Sequence, residues 1–179
     1  MKLLARFIFW LTGWRTEGQV PPLNKFVVIV APHTSAWDVF YGLLARYLFE
    51  VDFVFYGKRE IFDSPVGFIF RAMGGIPVDR SVHTNMVDQA VERFNQNDKM
   101  ILALAPEGTR EYVEKWKTGF YYIALKANVP ILLTYLDFEK KVAGVGPLFY
   151  PTGNLDKDME DIKAFYRPIK GYYPEKGVR

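Results

Sequence analysis

Two apolar runs, Phe26-Val-Val-Ile-Val30 and Met100-Ile-Leu-Ala-Leu-Ala105, constrain what this chain can fold into more than any other feature. Each is short, free of charge and stopped by a proline, Pro32 or Pro106, which is the pattern of a strand buried on both faces. Such strands need helices above and below them, and the intervening segments supply helical patterns. From Trp37 to Phe49 the residues Phe40, Leu43, Leu44, Tyr47 and Leu48 recur at helical spacing. Val87, Ala90, Val91 and Phe94 mark a second helix, and Phe120, Ile123, Ala124 and Ala127 a third. In a fourth, Leu155, Met159, Ile162 and Tyr166 share one face, and Asp156, Asp158, Glu160, Asp161 and Lys163 lie on the other. Asp52–Tyr56 and Pro130–Leu136 read as further strands, Ile76–Val78 as a brief extended piece, and Pro65–Met73 as a short helix stopped by Gly74 and Gly75. The alternation predicts a three-layer single α/β domain around a mainly parallel or mixed sheet.

The length of 179 residues suits one hydrophobic core, and half of them are apolar. No cysteine is present, which excludes disulfides and thiolate metal sites and fits a reducing compartment. His33 and His83 stand fifty positions apart with no acidic cluster beside either, so no metal is expected. A net charge of +3, spread along the chain, gives no stripe for tracking phosphates, and no nucleic acid is expected.

The segment Met1–Arg15 stands apart. It carries Lys2, Arg6 and Arg15 and no acid, interleaved with Leu3, Leu4, Phe7, Ile8, Phe9, Trp10, Leu11 and Trp14. A membrane span needs about 20 apolar residues, and Arg6 interrupts this run. Arg15, Thr16 and Glu17 follow it where a signal peptide would have small residues. Two readings remain: a helix lying in the lipid headgroup region, or a helix docked on the core. The first divides the chain into a membrane-associating segment, 1–15, and a domain, 16–179.

In open α/β sheets ligands collect beyond the C-terminal ends of strands. His33 follows the first run and Glu107-Gly-Thr-Arg110 the second, so both are expected in one site. Histidine can take and return a proton near neutral pH, and Asp38, five residues on, is positioned to orient it. The same segment also matches a helix-capping pattern, with Ser35 as cap and an acid three residues later, and both readings stay open. Arg110 offers a planar fork for an anion, Thr109 a hydroxyl and Gly108 a close backbone approach, with Lys117 nearby. Gly74–Gly75 followed by Arg80 repeats the scheme. Arginines standing on the surface after turns are the plainer alternative. No nucleophile elbow, Walker loop or dinucleotide fingerprint is present.

Taken in order, His33-Thr-Ser-Ala-Trp-Asp38, Gly74 to Arg80, Glu107-Gly-Thr-Arg110 and Val129-Pro-Ile131 resemble the four blocks of the glycerolipid acyltransferases, in particular the bacterial lysophosphatidic acid acyltransferases. The resemblance implies that His33 is the general base and Asp38 its partner. It implies that Arg80 with Glu107, Gly108, Thr109 and Arg110 holds the polar head of the acceptor, and that Val129 and Pro130 shape the acyl end; Gly74 and Gly75 of the second block and the nearby Lys117 are counted with them as substrate-binding. The implied partners are a lyso-lipid acceptor, acyl-CoA or acyl carrier protein as donor, and a membrane surface, with no cofactor. The implied location is the cytoplasmic face of the cell membrane, held peripherally or monotopically. The implied reaction is O-acylation of 1-acylglycerol-3-phosphate. Lyso-ornithine lipid is an alternative acceptor, and a non-catalytic lipid-binding protein or a thioester hydrolase are alternatives in kind. Trp37 stands where many members have a small or polar residue.

Overall fold

The computed structural model describes residues 1–78 and 86–179, so Arg80 lies outside the described residues. The elements in chain order are α1 (Lys2–Thr12), β1 (Arg15–Glu17), β2 (Lys25–Val30), α2 (Trp37–Leu48), β3 (Val54–Lys58), α3 (Arg59–Phe62), α4 (Gly67–Ala72) and β4 (Gly75–Val78). They continue with α5 (Met86–Gln96), β5 (Met100–Leu104), α6 (Gly119–Ala127), β6 (Ile131–Asp137), β7 (Val142–Phe149) and α7 (Leu155–Tyr166). A 3-10 turn at Pro174–Lys176 follows. The seven strands among the described residues form one sheet in the order β1-β7-β6-β2-β5-β3-β4. Among the described residues only the β6–β7 pair is antiparallel.

The two apolar runs are neighbours at the centre, in the register Lys25–Met100 through Ile29–Leu104. Because successive side chains point to opposite faces, each run feeds two layers of core. Val27 and Ile29 meet Leu102, Ile131 and Leu133 under α5, α6 and α7. Phe26 and Val28 meet Ile101, Ala103 and Leu132 on the other face. On that second face α1 and α2 cover β6 and β7, with Ala5 and Phe9 packed against Leu44, Ala45, Leu136 and Ala143. The expected three-layer α/β domain is therefore present, with a mixed sheet.

Three elements escape the periodicity, each for a visible reason. β1 has three exposed residues of the polar sequence Arg-Thr-Glu and sits at the sheet edge, where a charged strand is well tolerated. The four-residue α3 is too short for a helical period to show. β7 is interrupted by glycines because large rings lie against it. A Cβ on Gly144 would come within 2.0 Å of the Tyr135 ring, and one on Gly146 within 2.4 Å of Phe165. In α7, Asp158 belongs to the polar face by sequence but is 1% exposed. It accepts from the Tyr121 hydroxyl and from both the amide and hydroxyl of Thr152 at 2.7–2.8 Å, so its charge is satisfied inside.

Candidate active site

Beyond Val30 the chain turns through Ala31 and a cis-bonded Pro32 and delivers His33 past the C-terminal end of β2. Asp38 occupies the first turn of α2 and points inward, its side chain 2% exposed. One of its oxygens, Oδ2, accepts hydrogen bonds from the Thr34 amide at 2.7 Å and the Ser35 amide at 2.8 Å, and lies 3.0 Å from His33 Nδ1. The capping reading and the pairing reading therefore describe the same carboxylate. Asp38 reaches back to the backbone before α2, and that anchoring holds the oxygen where His33 meets it. Ser35 Oγ takes the Trp37 amide at 3.2 Å.

With Nδ1 turned to the carboxylate, Nε2 is the ring nitrogen left to meet a substrate, and the side chain retains 19% exposure. An imidazole oriented by a buried carboxylate is an arrangement that can remove a proton from a hydroxyl and return it.

The turn after β5 closes against the same place. Glu107 is 6% exposed and its Oε1 accepts the His33 backbone amide at 3.0 Å, so the two turns are joined directly. Burial pushes the Glu107 carboxyl above its ordinary value, opposed by its bond from the His33 amide. Gly108 has φ +66° and the Lys117 side chain lies across it, so a Cβ there would sit 2.8 Å from Lys117 Cε. Lys117 is fixed in turn by its amide on the Pro106 carbonyl at 2.9 Å. Thr109 and Arg110 are exposed on this turn, and Thr109 Oγ1 accepts from the Glu111 amide at 3.3 Å.

His33, Asp38, Glu107, Gly108, Thr109, Arg110 and Lys117 thus share one end of the sheet. Gly74, Gly75, Val129 and Pro130 do not join them. The row Val28–Ala103–Phe55–Gly75 puts Gly75 at the start of β4, three strands from β2 and about 14 Å away at the usual strand spacing. The two glycines are instead required by packing. Gly74 has φ +87°, and a Cβ on either would meet a backbone oxygen at 2.6 Å, that of Phe53 for Gly74 and of Phe70 for Gly75. Val129 is buried in the core, and the Pro130 carbonyl accepts from Val27 at 2.9 Å, at the N-terminal end of β6.

Sequence reasoning missed the C-terminal segment, which braces both turns. Thr34 is buried, and its Oγ1 accepts the Tyr173 amide at 3.2 Å. Gly171 packs so closely on Thr34 and Pro32 that a Cβ would come within 2.7 Å of Thr34 Oγ1. Lys176 pairs with Glu111 at 2.8 Å, and the Arg179 guanidinium covers Tyr112. The wholly buried Tyr166 directs its hydroxyl to the Ile29 and Thr134 carbonyls at 3.1 and 3.2 Å, tying β2 to β6 just before the His33 turn. No short motif signals these contacts; only the helical period of α7 pointed to Tyr166 as inward.

Trp37 also finds its explanation. With Asp38 turned inward, its neighbour on α2 turns out, 49% exposed, with its ring 5.7 Å from Phe40 and 6.4 Å from Tyr41. Tyr41 stacks on Trp14 at 4.1 Å and so connects this aromatic surface to α1. There Leu3, Leu4, Phe7, Trp10 and Leu11 are 50–80% exposed while Ala5 and Phe9 are buried. α1 is therefore docked on the core by one face and apolar on the other. Among the described residues no helix is long and apolar enough to cross a membrane, and no group of three or more metal-ligating side chains occurs.

A mixed α/β sheet with a buried-carboxylate histidine pair beyond its central strand defines the class, and comparison with known proteins makes it specific. The model of the family described as Acyltransferase matches residues 15–135, and the chain belongs to that family. It is 28% identical over 125 residues to a 1-acyl-sn-glycerol-3-phosphate acyltransferase of Streptococcus pneumoniae, over 68% of this chain and 46% of that protein. The chain thus spans about half the length of this relative. Its fold resembles the crystal structure of the 1-acyl-sn-glycerophosphate (LPA) acyltransferase PlsC from Thermotoga maritima, with TM-score 0.63 and 21% identity over 92% of this chain and 74% of that one.

Proposed function

We propose that this acyltransferase moves a fatty acyl group from acyl-CoA or acyl carrier protein to the hydroxyl of a lyso-lipid, most closely 1-acylglycerol-3-phosphate, at a membrane surface. The observation that carries the reading is the 3.0 Å contact of His33 Nδ1 with buried Asp38 Oδ2, which leaves Nε2 free. Nε2 takes the proton of the acceptor hydroxyl as its oxygen attacks the thioester carbonyl. The new ester forms, the carbon–sulfur bond breaks, and the proton passes from the imidazolium to the departing thiolate. No residue is acylated, in keeping with the absence of cysteine and of a nucleophile elbow.

Arg110, Thr109 and Lys117 supply the charge and hydrogen bonds suited to the acceptor's phosphate, and Arg80 is proposed as a further contact. Glu107 serves this site from behind, by holding the His33 amide. The outward faces of α1 and of Trp37 and Phe40 suit a helix lying in the headgroup layer, with the exposed Arg6 toward anionic lipid while Lys2 is held by Glu50, and the cytoplasmic face of the membrane is the proposed location. The named similarity to a 1-acyl-sn-glycerol-3-phosphate acyltransferase supports the choice of acceptor.

The test is a screen of the purified protein against lysophosphatidic acid, lyso-ornithine lipid and other lyso-lipids, each with acyl-CoA and with acyl carrier protein, read by product mass. Diacylated phosphatidic acid is the expected product. Free fatty acid without acceptor would make it a hydrolase, and lipid binding without turnover would make it a non-catalytic module.

A further inference from the structure

A cavity of about 430 Å³ opens beyond the N-terminal ends of β3, β4 and β5, at the end of the sheet away from His33. Four cations line it, Arg46, Arg71, Arg93 and Lys99, against one acid, Asp52. They arrive from α2, α4, α5 and the residue before β5, so the convergence is a product of the fold and not of a local charged run.

Two of the four are held in place. Arg46 donates to the Met73 carbonyl and to Asp52, and its guanidinium lies 4.9 Å from the Phe53 ring centre. Arg71 donates to the Phe62 carbonyl at 2.7 Å and lies 5.6 Å from the Phe62 ring centre. Arg93 and Lys99 are exposed and make no ion pair among the described residues. Arg46 is engaged with Asp52 and Arg71 lies 3.9 Å from Asp63, both acids largely exposed, so Arg93 and Lys99 are the two cations of the cavity without an acid partner among the described residues. Gathering like charges around one concavity works against folding unless an anion is drawn in. The volume falls within the range of ordinary small-molecule sites, roughly 300–1,000 Å³. Gly74, with no side chain, lines the cavity as well.

We propose that this cavity is a second anion site, distinct from the acceptor site at His33, that takes a phosphate-bearing group. Fixed guanidiniums present parallel N–H pairs that match phosphate oxygens, and the exposed Arg93 and Lys99 add the charge to meet a group carrying two or more negative charges. Val54, Ile76 and Ile101 give it an apolar floor beside the charges. The phosphate belongs either to a soluble phosphate ester or to a phospholipid headgroup. Neither assignment rests on the catalytic reading.

The experiment uses the full chain and two probes: inorganic pyrophosphate in calorimetric titration, and co-sedimentation with vesicles of phosphatidylglycerol against vesicles of phosphatidylcholine. The variants are Arg93→Gln/Lys99→Gln, whose exposed side chains leave the core untouched, and Arg110→Gln at the other end of the sheet. Saturable pyrophosphate binding, weakened tenfold or more in the double variant and unchanged in Arg110→Gln, supports a site for soluble phosphate. Loss of phosphatidylglycerol binding alone in the double variant supports a headgroup site. Absence of saturable binding to either probe overturns the proposal, as does binding that Arg110→Gln abolishes and the double variant retains.

Discussion

The two ends of the central sheet carry the same sequence vocabulary, a glycine turn followed by or set among arginines, and use it in different ways. At the C-terminal ends of β2 and β5 the turns face each other, and polar side chains are buried to serve one another. Asp38 gathers two backbone amides and the His33 ring on one oxygen, and Glu107 takes the amide of the residue that Asp38 faces. At the N-terminal ends of β3 to β5 the glycines are demanded by backbone contacts at 2.6 Å, and the charged groups stand around an open cavity. Chemistry that needs fixed geometry belongs to the first arrangement, and capture of a charged group suits the second. Strand polarity, which a motif does not encode, separates them.

The largest effect that would sharpen this contrast is expected at Asp38. Asp38→Asn keeps the shape but no longer fixes the His33 tautomer, and acyl transfer should fall on the order of 10²–10⁴-fold, measured as kcat with the folded fraction checked by circular dichroism. Arg110→Gln should act on binding: the acceptor KM rises about tenfold with kcat little changed, the effect of losing roughly 1.4 kcal/mol of charge-assisted contact. An unchanged KM would move the acceptor's phosphate off this turn. Gly75→Ala should do the reverse, lowering stability through overpacking by about 1–3 kcal/mol, read as a lower Tm, while kcat/KM per folded molecule holds. A fall in kcat/KM at constant stability would bring the glycine pair into the site.

The smallest effect concerns Glu107 and pH. Its carboxyl titrates above the ordinary value in the fold, so between the two values the folded state holds more protons than the unfolded one, and stability falls as pH rises through that window. Glu107→Gln keeps an oxygen for the His33 amide and removes the buried charge. Its Tm relative to wild type should therefore climb as pH rises above the ordinary carboxylate range, followed by scanning calorimetry. A constant difference across pH would show that Glu107 does not titrate with folding.

Much of this was legible in the sequence. The doubly buried runs carry their own signal, because a strand covered on both faces has no polar positions, and their prolines mark where the site turns begin. α2 and α7 show their period. β7 was not legible, since Gly144 and Gly146 are selected by Tyr135 and Phe165, residues nine and nineteen positions away. The placement of Gly74, Gly75, Val129 and Pro130 away from His33 follows from strand register, which local pattern does not specify. The bracing of the site by Tyr173 and Gly171 is likewise a contact over more than 130 residues.

His33, oriented by Asp38, is proposed as the base for acyl transfer. The most direct measurement of that role is formation of acylated product from labelled donor and lyso-lipid by wild-type protein and by His33→Ala at matched folded concentration. Product is expected with wild type and none above background with His33→Ala at unchanged Tm. Full turnover in His33→Ala would contradict it.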